Sequence, residues 1–147
     1  MKEVIKILLA DDDADDCIFF REALDDLPYA ISLTTVNNGV ELMKVLMVDQ
    51  DYNPNVLFLD LNMPMKNGIE CLAEIKAHSV LKHIPVIICS TSYNSEVVTA
   101  LYDIGADYYI RKPGSFHELK QFISKILSAM ANKNLGQPSL KEFVLQP

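Results

Sequence analysis

Four places in the 147-residue chain bring together residue types that can do chemistry in concert. Three consecutive carboxylates, Asp11, Asp12 and Asp13, follow the apolar run Ile7-Leu-Leu-Ala10. Asp60 closes the run Val56-Leu-Phe-Leu59, with Asn62 two residues on. Ser90, Thr91 and Ser92 follow Val86-Ile-Ile-Cys89, and Lys112 with Pro113 follows Tyr108-Tyr-Ile-Arg111. Carboxylates crowded together repel and gain proton affinity unless a cation sits between them. A hard divalent ion with oxygen ligands, Mg²⁺ above all, suits such a group, because it combines one or two carboxylates with waters and a phosphate. A carboxylate beside that ion can attack phosphorus and hold the product as an aspartyl phosphate. The phosphoryl oxygens then need positive charge and hydrogen-bond donors, which Lys112 and Ser90 can supply.

Each piece has a plainer reading when taken singly. Acids before a helix cap it, and Asp13, Asp15 and Asp16 are assigned that role. Ser90 can close a turn, and Lys112 can be a solvated surface charge. Asp60 resists such a reading, because a charge ending an apolar run would otherwise sit unpaired beside the core. The argument for a shared site is therefore positional and depends on the elements that carry these residues.

Those elements alternate. Short runs rich in Val and Ile predict strands near 4–10, 31–36, 55–60, 85–89 and 107–110. Between them, apolar residues at helical spacing, such as Ile69/Leu72/Ile75 and Phe116/Leu119/Ile123/Ile126/Met130, predict five helices near 14–27, 39–50, 67–78, 95–104 and 115–131. Ser115 and Glu118 have the spacing of a capping box, and Asn38 and Asn94 stand where N-caps belong. The alternation predicts an α/β domain with a parallel sheet covered on both faces. In such sheets the functional site lies beyond the carboxyl ends of the strands. All four groups fall there.

Composition narrows the classes. The chain is 50% hydrophobic and 22% charged, as a globular domain is, and no apolar stretch is long enough for a bilayer. No signal peptide is visible, so the protein is expected to be soluble and cytoplasmic. A net charge of −7 with scattered Lys and Arg argues against nucleic acid. Cys17, Cys71 and Cys89 are widely spaced, without a CxxC pair, and read as small core residues. Residues 1–131 are read as one domain. Residues 132–147, a linker-like run ending in Leu140-Lys-Glu-Phe-Val-Leu145, are read as a tail too short to fold alone, its apolar end either docked or disordered.

Over residues 3–131 the sequence resembles the receiver domains of two-component response regulators. Ile7-Leu-Leu-Ala-Asp11-Asp12 is similar to the family's acidic pair, and Asp60-Leu-Asn-Met-Pro64 with Gly68 to its phosphoacceptor strand and loop. Ser90 matches the Ser/Thr position, Lys112-Pro113 the Lys-Pro pair, and Tyr109 the switch aromatic. The resemblance implies a flavodoxin-like doubly wound five-stranded sheet of order 2-1-3-4-5, the order given in general form for the chemotaxis receiver. It further implies phosphorylation at Asp60, and Mg²⁺ held by Asp11, Asp12, Asp60 and the backbone carbonyl of Asn62. Ser90, Thr91 and Lys112 would contact the phosphoryl group, and Tyr109 would respond. The Lys112–Pro113 peptide is expected to be cis. The phosphoryl donor would be a sensor histidine kinase or histidine phosphotransfer protein, and the protein would be no enzyme beyond its own phosphorylation and dephosphorylation. Among receivers it looks most like stand-alone regulators of the phytochrome-associated kind, with no effector domain. It is expected to signal to a downstream protein, or to form a homodimer, through the fourth helix, fifth strand and fifth helix, where Val98 and Tyr102 would be offered. Two other readings are a receiver-like scaffold without phosphorylation, and a phosphotransfer enzyme of the haloacid-dehalogenase type. The second needs an acid where this chain has Asn62.

Overall fold

The computed structural model describes residues 3–48, 51–131 and 137–146. The end of the expected second helix (49–50) and most of the expected linker (132–136) lie outside them. Five parallel strands, β1 (Ile5–Ala10), β2 (Ile31–Val36), β3 (Val56–Asp60), β4 (Val86–Ser90) and β5 (Tyr108–Arg111), form one sheet in the order β2-β1-β3-β4-β5. The helices are α1 (Ala14–Asp25), α2 (Gly39–Val48), α3 (Gly68–Ala77), α4 (Ser95–Ile104), α5 (Phe116–Ala131) and a short α6 (Leu140–Phe143), with a 3-10 turn at Leu81–His83. This is the flavodoxin-like doubly wound fold, with one short helix more than expected.

The pleat of the strands divides the core in two. Ile7, Leu9, Val56, Phe58, Ile87 and Ile110 pack with Phe20 and Leu24 of α1 and with Phe122 and Ile123 of α5. The alternate residues Leu8, Leu57, Leu59, Ile88 and Tyr109 pack with Leu42, Leu72 and Leu101 of α2, α3 and α4. Every residue of β3 is buried, so this central strand reads as an unbroken apolar run up to Asp60. Burying one such Leu, Val or Phe side chain contributes about 1.5–3 kcal/mol, and the cost of ending the run on a charge must be met locally.

Caps set the helix starts. Asp13 accepts from the amides of Asp15 and Asp16 at the head of α1, and Asn94 from Glu96 and Val97 at α4. Ser115 makes the first half of its expected box, accepting from the Glu118 amide at 3.2 Å. The full reciprocal box belongs to Asn67 and Glu70 at α3, where the sequence reading had placed Asn67 inside the helix. Gly68 is required at that point. A Cβ there would meet the Asp60 carbonyl oxygen at 2.6 Å, so only glycine lets α3 begin directly against the end of β3.

The tail docks. Phe143 is fully buried and lies against Tyr102 and Tyr109, with ring centroids 5.2 and 6.4 Å away. Val144 forms a parallel bridge to Tyr109, and the Leu145 amide donates to the Tyr109 carbonyl at 3.0 Å. The Tyr102 hydroxyl donates to the Pro138 carbonyl at 2.7 Å. The tail thus covers the open edge of β5, a row of backbone groups that would otherwise be free to pair with another chain. This corrects the expectation that Val98 and Tyr102 are offered outward. Val98 is 3% exposed and belongs to the core, and Tyr102 is covered by Phe143.

Candidate functional site

The sheet register assembles the site. Ala10 lies opposite Leu59, which sets Asp11 level with Asp60, and Asp60 lies opposite Cys89, one residue before Ser90. Asp11 and Asp60 are 4% and 5% exposed, whereas Asp12 faces solvent. One carboxylate oxygen from each of Asp11, Asp12 and Asp60 lies within 4.8 Å of the others. Two buried acids and one accessible acid at that spacing fit a small oxygen-loving divalent cation that keeps part of its water.

Lys112 reaches in from the end of β5. Its Nζ donates to Asp11 Oδ2 at 3.0 Å, Asp16 Oδ2 at 2.8 Å and Asp60 Oδ2 at 3.4 Å. Burial alone would lower the Lys112 pKa, but the hydrogen bonds to Asp16 and Asp11 outweigh it and hold the ammonium charged well above its usual range. Asp60 moves the other way from an ordinary carboxylate. Burial raises its pKa to about 6, Lys112 opposes the rise, and Asp11 adds to it. The Asn62 amide donates to Asp60 Oδ1 at 3.2 Å and turns the following loop back over the carboxylate. Burial thus disfavours the ionised form of Asp60, and a cation held beside it would relieve that cost.

The other expected residues fall as follows. Ser90 is fully buried at the end of β4, and its carbonyl accepts from the Lys112 amide at 2.7 Å, tying the two strand ends together. Its hydroxyl lies 3.3 Å from that of Ser92, whereas Thr91 is exposed on the loop. Asn62 is exposed beside Asp60. Tyr109 points to the α4 side, 1% exposed, and its hydroxyl donates to the Ser92 carbonyl. No cis peptide occurs among the described residues, so Lys112–Pro113 is trans, against the expectation. Trans is the intrinsically favoured isomer even before proline, and Lys112 reaches the carboxylates with it.

Asp16 is the residue the sequence reading missed. It was assigned to capping along with Asp13 and Asp15, yet one N-cap suffices, and Asp13 fills it. Cys71 is buried in the core, and Cys17 and Cys89 are partly buried against it. Burial raises the pKa of Cys17 and Cys71 to about 11 and of Cys89 to about 12, with Asp11 adding to the effect at Cys17. None is a ready nucleophile.

Comparison with known proteins places this geometry among relatives. The family model described as the response regulator receiver domain matches residues 7–124. The response regulator Rcp1 of Synechocystis sp. is 34% identical over 126 residues, covering 83% of this chain and 86% of the relative. The phosphorylated form of the cyanobacterial phytochrome response regulator RcpA superimposes with a TM-score of 0.80 at 33% identity, covering 93% of this chain and 100% of that one. The Mn²⁺-bound form of Rcp1 superimposes with a TM-score of 0.76 at 31% identity, covering 92% and 99%. No helix among the described residues is long and apolar enough to cross a membrane.

Proposed function

This chain belongs to the response regulator receiver family of two-component signalling, and from that premise we propose that it accepts a phosphoryl group on Asp60. The observation that carries the reading is one buried carboxylate, Asp60, set against Asp11, Asp12 and the Lys112 ammonium at the end of the central strand. Asp60 Oδ attacks phosphorus on a phosphohistidine of a sensor kinase or phosphotransfer protein. The new O–P bond forms as the P–N bond breaks, and the imidazole leaves with the electron pair and takes up a proton. Asp11, Asp12, Asp60 and the Asn62 carbonyl would hold Mg²⁺, which supplies charge neutralisation for the phosphoryl oxygens when bound. That the relatives RcpA and Rcp1 are known in phosphorylated and Mn²⁺-bound forms supports both halves of the reading.

Lys112 pairs with one phosphoryl oxygen and Ser90 donates to another, with Thr91 exposed on the loop that follows β4. Ser92 and Tyr109 are linked to Ser90 by hydrogen bonds and by position, so a shift of Ser90 is passed to the α4–β5 surface. The protein acts on no substrate other than its own phosphoryl group, works in the cytoplasm, and signals to a downstream protein through that surface. The rival phosphotransfer enzyme lacks support, because the acid it needs two residues after Asp60 is Asn62.

Incubation with Mg²⁺ and acetyl phosphate should add one phosphoryl group per chain by mass. Asp60→Asn should abolish the addition with the far-ultraviolet circular dichroism unchanged. Full modification of that variant would rule out Asp60 as the acceptor.

A further inference from the structure

Three acids open α1, and the helix uses only one of them. Asp13 Oδ1 accepts from the amides of Asp15 at 2.9 Å and Asp16 at 3.3 Å, which is the work of a complete N-cap. The Asp16 carboxylate instead makes the closest of the three contacts to Lys112, at 2.8 Å against 3.0 Å for Asp11 and 3.4 Å for Asp60. An ammonium has three N–H donors, so these three acceptors saturate it. A hollow of about 50 Å³, lined by Phe19, Phe20, Phe58 and Leu119 as well as Asp16 and Lys112, lies beside the lysine. Its ammonium is held by charge at three carboxylates.

We propose that Asp16 is a positioning residue for Lys112, holding the ammonium toward α1 and competing for it with the anion that forms on Asp60. The proposal deepens the phosphoacceptor reading and rests on it. Phosphorylation turns the Asp60 carboxylate into an acyl phosphate and adds a phosphoryl anion with three acceptor oxygens, so Lys112 must follow that anion while its contacts to Asp11 and Asp16 persist or yield. Of those two, Asp16 loses less, because its side chain is 41% exposed and water can replace the ammonium, whereas that of Asp11 is 5% exposed. Removing the Asp16 carboxylate takes away a competing acceptor and a nearby negative charge. Both changes favour the anion on Asp60. The plain alternative is a half-exposed ion pair without consequence.

The test uses the full chain with Mg²⁺ and beryllofluoride as the phosphoryl mimic. Its two readouts are the beryllofluoride affinity and the ε-methylene resonance of Lys112, assigned by its loss in Lys112→Arg. In Asp16→Asn that resonance should move before any anion is added, and the affinity should rise roughly two- to fivefold, as expected for a half-exposed pair. Asp16→Glu, which keeps the charge, should return both readouts toward wild type. Asp13→Asn, which keeps the cap and removes one acid, should leave the resonance in place. An unmoved resonance in Asp16→Asn, an affinity equal to or below wild type, or an equal response in Asp13→Asn would overturn the proposal. A wild type that does not bind beryllofluoride would sink the phosphoacceptor reading instead, while the Lys112 resonance would still decide whether Asp16 positions the lysine.

Discussion

Asp60 costs the fold something when it is ionised without a cation. Its folded pKa of about 6 lies above the usual 3.8, chiefly because it is buried. Near pH 4 the folded state keeps the proton that the unfolded state gives up as pH rises, so stability falls through the window from about 4 to about 6. A shift of that size corresponds to a cost on the order of 2–3 kcal/mol above the window. In chelated buffer, urea unfolding should find Asp60→Asn more stable than wild type at pH 7, by the order of 2 kcal/mol, and the difference should shrink toward pH 4. A difference that stays constant between those pH values would contradict the burial argument. Single residues were legible in the sequence where a strand end announced them: Asp11, Asp60, Ser90 and Lys112 each close or follow a strand, and parallel strands bring their carboxyl ends to one edge. Asp16 was not legible, because three acids at a helix start are equivalent until the chain is folded and one of them takes both cap hydrogen bonds. The contact between the Ser90 and Ser92 hydroxyls was not legible either, because the direction of each side chain after a strand end depends on how the loop folds.

At the level of elements, every strand boundary falls within one residue of its expected position and every long helix within two, because the apolar periodicity of 2 or 3.6 is strong in each. What escaped is short or depends on distant contacts. The turn at Leu81–His83 is three residues, too few for a period to register. The helix α6 is four residues, and no isolated helix of that length is stable. It exists because Phe143 finds a buried site between Tyr102 and Tyr109, helped by Gln137 Nε2 donating to the carbonyls of Tyr102 and Ala106 at 2.6 and 2.8 Å. Phe143→Ala should therefore release the whole tail and not merely leave a hole. The expected loss is on the order of 2–3 kcal/mol in urea unfolding, toward the low end for a buried phenylalanine because an undocked tail regains entropy. Limited proteolysis should then cut within 137–146 at a rate the wild type resists. If stability and cleavage were both unchanged, the packing of Phe143 would be irrelevant to the fold.

For the molecule as a whole, three carboxylates pair with the Lys112 ammonium, Asp12 adds a fourth acid beside Asp11 and Asp60, and the net charge is −7, a balance that favours cations at this end of the sheet. Millimolar Mg²⁺ should stabilise the wild type and so raise its melting temperature, the stabilisation being about 2.7 kcal/mol at a hundred times the dissociation constant. The gain should diminish in Asp12→Asn, whose carboxylate is the accessible one, and an unchanged melting temperature in wild type would exclude the metal site. Association is the larger question. The α4–β5–α5 surface was expected to offer Val98 and Tyr102, but the tail now occupies that face and presents Leu140, 46% exposed, in their place. With the β5 edge paired to Val144, one chain cannot add strand to strand with another there. A homodimer through this face must then form on the outer surface of the docked tail. Light scattering across a range of concentrations should show self-association in the full chain, strengthened by beryllofluoride, and altered association in a chain ending at Ala131, where the β5 edge is laid bare. A full chain that stays monomeric with and without beryllofluoride would eliminate the homodimer and leave a separate protein as the reader of the surface.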